Sequence, residues 1–148
     1  MEHYQIYHQL WISAAMIAAT TFVHGSFVAI AAVFFRAARG NARGIIRFFR
    51  DSFVLVLVVL WLMVAHAIEI AMWGWVYMRY AIFDQWETSL YFAVSSYTTL
   101  GFGDVLAPIA WRLLSGATAA NGLLLFGLSA AFLFETARRL NLADPQHG

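Results

Sequence analysis

The residues of this 148-residue chain that could do chemistry fall in two places. One is Thr98-Thr99-Leu100-Gly101-Phe102-Gly103-Asp104. Gly101 and Gly103 alternate with Leu100 and Phe102, and glycine enters backbone regions closed to other residues, so successive carbonyls can point the same way. A row of such carbonyls, with the Thr99 hydroxyl, is a ladder of hard oxygen ligands. Four ladders around one axis would replace the water shell of a monovalent cation. Residues 86–98 before the strip read as a short helix that stops where the strip begins. A helix C-terminus aimed at that point offers partial negative charge to a cation.

The second place is a set of ionisable side chains inside apolar sequence: His24, His66 and Glu69, with Asn121 as a further polar partner. His66 and Glu69 are three apart and share a helix face. Three readings stay open. A buried hydrogen-bonded cluster would fix how the helices pack. Groups that change charge with pH would make a pH- or ion-sensitive gate. Two imidazoles and a carboxylate would also suit a transition metal, if the three faces converge. Glu135 has two readings as well: one member of a carboxylate ring that concentrates cations, or a helix-end partner of Arg138 and Arg139. The sequence holds no cysteine and no catalytic triad, phosphate loop or zinc-protease spacing, so no enzyme is expected.

The elements that must position these groups are membrane helices. The chain is 62% apolar and 11% charged, with net charge +1 and mean hydropathy +0.70. That composition excludes an ordinary soluble globule, and the small charge argues against nucleic acid as a partner. Segments 10–35, 53–77 and 111–135 are each long enough to cross ~30 Å of hydrocarbon. Segment 88–100 is too short and reads as re-entrant, which is tolerated at membrane depth only where protein or water satisfies its backbone. The start lacks a signal-peptide pattern, so the first span is expected to be retained.

All nine basic residues are arginine, and Arg36, Arg39, Arg43, Arg47 and Arg50 lie between the first two spans. With Arg138 and Arg139 after the third, they put the 36–52 connection and the C-terminus in the cytoplasm and the N-terminus outside. The arginine spacing also invites a voltage-sensor reading, but Gly40 and Gly44 interrupt the run and it lies outside the spans. Ile45, Ile46, Phe48 and Phe49 gather opposite Arg43, Arg47 and Arg50, which predicts a short helix in the interface plane, its arginines on anionic lipid.

The stretch 98–104 resembles the selectivity-filter signature of the potassium channel superfamily, usually Thr-Val-Gly-Tyr-Gly-Asp. The likeness covers residues 53–139: an apolar span, an aromatic-rich pore helix, the filter and a glycine-containing span. It is to the small prokaryotic type of two helices and a pore loop, with one extra N-terminal span. The resemblance implies an all-α membrane protein with the tetrameric pore fold, three transmembrane helices plus a re-entrant pore helix and filter. Potassium would then be held by oxygens of Thr99, Leu100, Gly101 and Phe102, with Gly103 completing the row. Asp104 corresponds to the external-mouth carboxylate. Its partners in the family fall here on Ser95, which cannot form a carboxyl–carboxylate pair, and Tyr91, whose hydroxyl donates to Asp104 unless that carboxylate is simply hydrated. Thr98 belongs to the same support, and Phe92 fills a cuff position without a donor. Leu100 and Phe102 depart from the commonest filter pattern; neither change removes a backbone oxygen.

In the third span, Gly122 and Gly127 fall where the family bends its inner helix, and close packing explains a glycine there equally well. Leu123 and Phe126 would face the central cavity or a neighbouring subunit, and Ala130 and Ala131 leave room for a vestibule. The chain divides into 1–52, an extra span with a basic interfacial segment; 53–139, the pore domain; and 140–148, a short tail without room for a ligand-gating domain. The expectation is a potassium-selective channel subunit working as a homotetramer in the cell (inner) membrane, with no cofactor beyond the permeant ion. The alternatives are a weakly selective cation channel, or a non-conducting sensor or metal-binding protein built on His24, His66 and Glu69.

Overall fold

A computed structural model describes residues 2–37 and 44–140. Its elements are α1 (Glu2–Ala37), α2 (Gly44–Arg79), α3 (Trp86–Tyr97) and α4 (Arg112–Arg139), the last entered through a 3₁₀ turn at Ile109–Trp111. Three stretches, Gln5–Phe34, Ile45–Arg79 and Ile109–Arg139, are long and apolar enough to span a membrane. Hydrocarbon offers a backbone no partner outside its own helix, which is why the Val-rich sequence of α2 is helical despite its β-branched residues.

The 36-residue α1 and α2 are each about 54 Å long and overshoot ~30 Å of hydrocarbon. This corrects the expectation of a short interfacial helix for its described part, residues 44–50. They form no separate helix in the interface plane, because α2 runs unbroken from Gly44 through the expected boundary at residue 53. Arg47 and Arg50 both reach Asp51, at 3.4 and 2.7 Å, whose buried carboxylate occupies groups expected on lipid. Arg39, Arg43 and the tail 141–148 lie outside the described residues, as does the Arg36 side chain.

Ala81 ends α2. It adopts a left-handed φ of 49°, its N–H bonds Met78 O at 3.0 Å, and the Ile82 N–H bonds Tyr77 O at 2.9 Å. This paired closure is the Schellman motif, and buried Ile82 supplies its apolar contact. The chain can then turn back into the membrane as α3.

α3 packs between α2 and α4, and α1 lies against both α2 and α4. The first span thus packs on α4 as well as on α2. Gln9 of α1 accepts from the Leu114 N–H at 3.3 Å and donates to Ala110 O at 2.7 Å, so α1 caps an α4 start that has no side-chain cap of its own. The aromatic core holds the pore helix in place. Tyr77 and Phe92 meet edge-on with centroids 5.0 Å apart, and the Tyr77 hydroxyl pairs with Thr118 at 2.6 Å.

Candidate functional site

The strip after α3 is tied to the helix it leaves. Thr98 N–H bonds Val94 O, Thr99 N–H bonds Ser96 O and Gly101 N–H bonds Ser95 O, at 3.0, 3.0 and 3.2 Å. Thr99, Gly101 and Gly103 have φ of 59°, 58° and 80°, whereas Leu100 and Phe102 between them do not enter the positive region. An ordinary strand reverses its carbonyl at each residue; a strip that alternates in hand is released from that reversal. Thr99 adopts the left-handed form although it carries a side chain, at a cost of roughly 1–2 kcal/mol. Strain of that kind, held by neighbouring bonds, marks functional segments.

Leu100 and Phe102 are 55% and 67% exposed. Tyr91 donates to Asp104 Oδ2 at 2.7 Å, so the hydrated reading gives way to the bonded one. That bond holds the Asp104 carboxyl below the usual carboxylate range. Ser95 supports the strip through its carbonyl, and the Thr98 hydroxyl is turned back onto Val94 O at 2.7 Å.

The second constellation converges. His24, His66 and Glu69 are buried, and their candidate ligand atoms all lie within 4.8 Å of one another. His24 Nδ1 stands 2.9 Å from Glu69 Oε1, and His66 Nδ1 stands 3.2 Å from Oε2. Two residues that sequence reasoning missed complete it. Tyr97, the last residue of α3, donates to Glu69 Oε2 at 2.5 Å and lies 3.0 Å from His66 Nδ1. Ser129 Oγ lies 3.0 Å from His66 Nε2 and 3.1 Å from His24 Nε2. All four helices meet here, and Tyr97 is two positions from the start of the strip.

Asn121 is not a member of this cluster. Its Oδ1 accepts from the Thr20 hydroxyl at 2.8 Å and from Trp73 Nε1 at 2.9 Å, forming a separate buried node between α1, α2 and α4. A Cβ on Gly122 would overlap the Tyr97 carbonyl, so close packing against the pore helix requires that glycine. Gly127 has open space around it. Phe126 stacks on His66 with ring centroids 4.2 Å apart and is half-buried, whereas Leu123 is exposed. Glu135 is paired with Arg138 and Arg139 at 2.8 and 2.6 Å, the helix-end reading.

The family model that matches this chain is described as ion channel and covers residues 52–139, well over half the sequence. No curated protein and no solved structure matches it. The matched segment begins inside α2, takes in the pore helix and the glycine-punctuated strip, and ends with the last residue of α4. A multi-pass helical membrane protein with this arrangement belongs to the ion channel family, in its two-span, potassium-channel-like form.

Proposed function

We propose that the protein is one subunit of a potassium-selective channel, with the pore on the fourfold axis of a homotetramer. Oxygens of residues 99–103 from four copies replace the hydration of K⁺, and ions pass down their gradient with neighbours repelling one another. Asp104, whose carboxyl the Tyr91 hydrogen bond lowers further, attracts cations at the outer mouth. The observation that carries this reading is the alternation of positive φ at Thr99, Gly101 and Gly103, directly after a helix C-terminus and between two spans. Exposure of Leu100 and Phe102 supports it, since a single chain leaves the strip uncovered. Of the two glycines that fall where the family bends its inner helix, Gly122 and Gly127, only Gly127 has the space to act as hinge.

In this reading the subunit sits in the inner membrane, with the N-terminus outside and the C-terminus in the cytoplasm. A weakly selective cation channel is the second reading, favoured by Leu100, which is less stiff than a β-branched residue in the filter. K⁺ uptake into liposomes tests conduction: the wild type takes up K⁺ under a gradient and Gly101→Ala does not. Equal uptake by the two rules the strip out as the conduction path.

A further inference from the structure

The cluster around Glu69 forms a closed ring. His24 Nδ1 meets Glu69, His24 Nε2 meets Ser129, Ser129 meets His66 Nε2, His66 Nδ1 meets the Tyr97 oxygen, and Tyr97 meets Glu69 again. Each of the five contacts needs one proton. Around an ionised Glu69, neutral His24, His66, Ser129 and Tyr97 supply one each, so one contact has none. A lone pair facing a lone pair at hydrogen-bond distance in a buried site is costly. One more cation, a proton or a metal ion, must complete the ring.

The geometry favours the metal. The Glu69 carboxylate lies 2.9 Å from His24 Nδ1, 3.2 Å from His66 Nδ1 and 2.5 Å from the Tyr97 oxygen, which is itself 3.0 Å from His66 Nδ1. The ligand atoms of His24, His66 and Glu69 fall within 4.8 Å of one another. Ligands about 2.0–2.1 Å from a tetrahedral zinc stand roughly 3.3 Å apart, so modest expansion admits an ion. Binding through Nδ1 puts each remaining proton on Nε2, and both Nε2 atoms stand at the single Ser129 oxygen, which has two lone pairs to receive them. One acceptor oriented on two imidazoles in this way is the outer partner that ligating histidines need.

We infer that His24, His66 and Glu69, with the Tyr97 hydroxyl in fourth position, form a structural site for a zinc-class divalent transition metal. The N/O donor set suits Zn²⁺, Cu²⁺ or Ni²⁺ and not an alkali ion. The ion would staple the extra first helix to α2 and to the end of the pore helix, giving α1 a role in holding the strip. The inference does not depend on conduction, because it concerns a site complete within one chain.

The test is a Co²⁺ titration of chelator-stripped, full-length protein in detergent, read by visible absorption and paired with elemental analysis of untreated protein. The site predicts one ion per chain and the intense visible bands of four-coordinate Co²⁺. Ser129→Ala, which keeps every ligand, should weaken binding about 10–100-fold, and His24→Gln should abolish it. Wild-type protein that develops no Co²⁺ bands at stoichiometric metal overturns the site and leaves a trapped proton as the fifth bond. His24→Gln binding as tightly as wild type overturns it too. Metal bound by a protein that carries no K⁺ would sink the conduction proposal and leave this one standing.

Discussion

The strip at 99–103 and the cluster around Glu69 are built on opposite plans. The strip uses backbone, is exposed in one chain, and has its conformation set by alternating φ. The cluster uses side chains, is buried, and draws them from four helices of one subunit. One region is left open by a single chain, and the other is closed within it. The lesson is a division of labour: under the proposed function, assembly would complete the pathway, while each chain holds its own pore helix. Tyr97 joins the two, since its hydroxyl lies in the cluster and its carbonyl rests on Gly122 just before the strip.

Five changes separate the regions, from the largest effect to the smallest. Gly101→Ala puts a Cβ at φ 58° in the strip. Liposome flux should fall at least ~100-fold while stability drops only ~1–2 kcal/mol; an unfolded variant would show that the strip is not independent of the core. Glu69→Ala should do the reverse, removing the carboxyl group that buried groups on three helices face. The expected loss is about 3–5 kcal/mol, read as thermal unfolding of the detergent-solubilised protein, and an unchanged midpoint would deny the cluster its structural role.

Gly122→Ala drives a methyl into the Tyr97 carbonyl and should cost about 1–3 kcal/mol. Gly127→Ala, in open space, should leave the midpoint unchanged and alter open probability in single-channel records. Equal destabilisation by both would break the distinction between packing and hinge.

Tyr91→Phe has the smallest effect, confined to acid pH. The Tyr91 hydrogen bond lowers the Asp104 carboxyl, so its contribution is present above the ordinary carboxylate range and is lost as pH falls through the depressed value. In the variant Asp104 should protonate at higher pH, and conductance should begin to fall at a less acidic external pH than in wild type. Identical acid profiles would show that the carboxylate at the mouth does not depend on Tyr91.

The strip was legible in the sequence because its information is local: glycines at alternate positions beside threonine, after a helix too short to span. The Tyr91–Asp104 bond was legible only through the family resemblance, which placed Tyr91 opposite Asp104 and left a hydrated carboxylate open beside it. His24, His66 and Glu69 were each visible as ionisable groups in apolar surroundings. Their meeting was not, because α1 is apolar on nearly every side and nothing in its pattern says how it is rotated. Tyr97 and Ser129 escaped because a tyrosine ending a helix and a serine in an Ala-rich span are ordinary until other helices bring histidines to them. Asn121 went to the wrong partner for the same reason. At residues 44–50 the charged side chains hid the helix: the second span was expected to begin at Phe53, whereas α2 begins at Gly44, and Asp51, which draws in Arg47 and Arg50, carried no sequence signal.

The central claim is that four copies of the strip pass K⁺ in preference to Na⁺. The direct measurement is the bi-ionic reversal potential of purified wild-type protein in planar bilayers, with K⁺ on one side and Na⁺ on the other. The predicted result is a reversal potential displaced far from zero, with the sign set by K⁺ leaving its own side. A potential near zero with open channels present would contradict it.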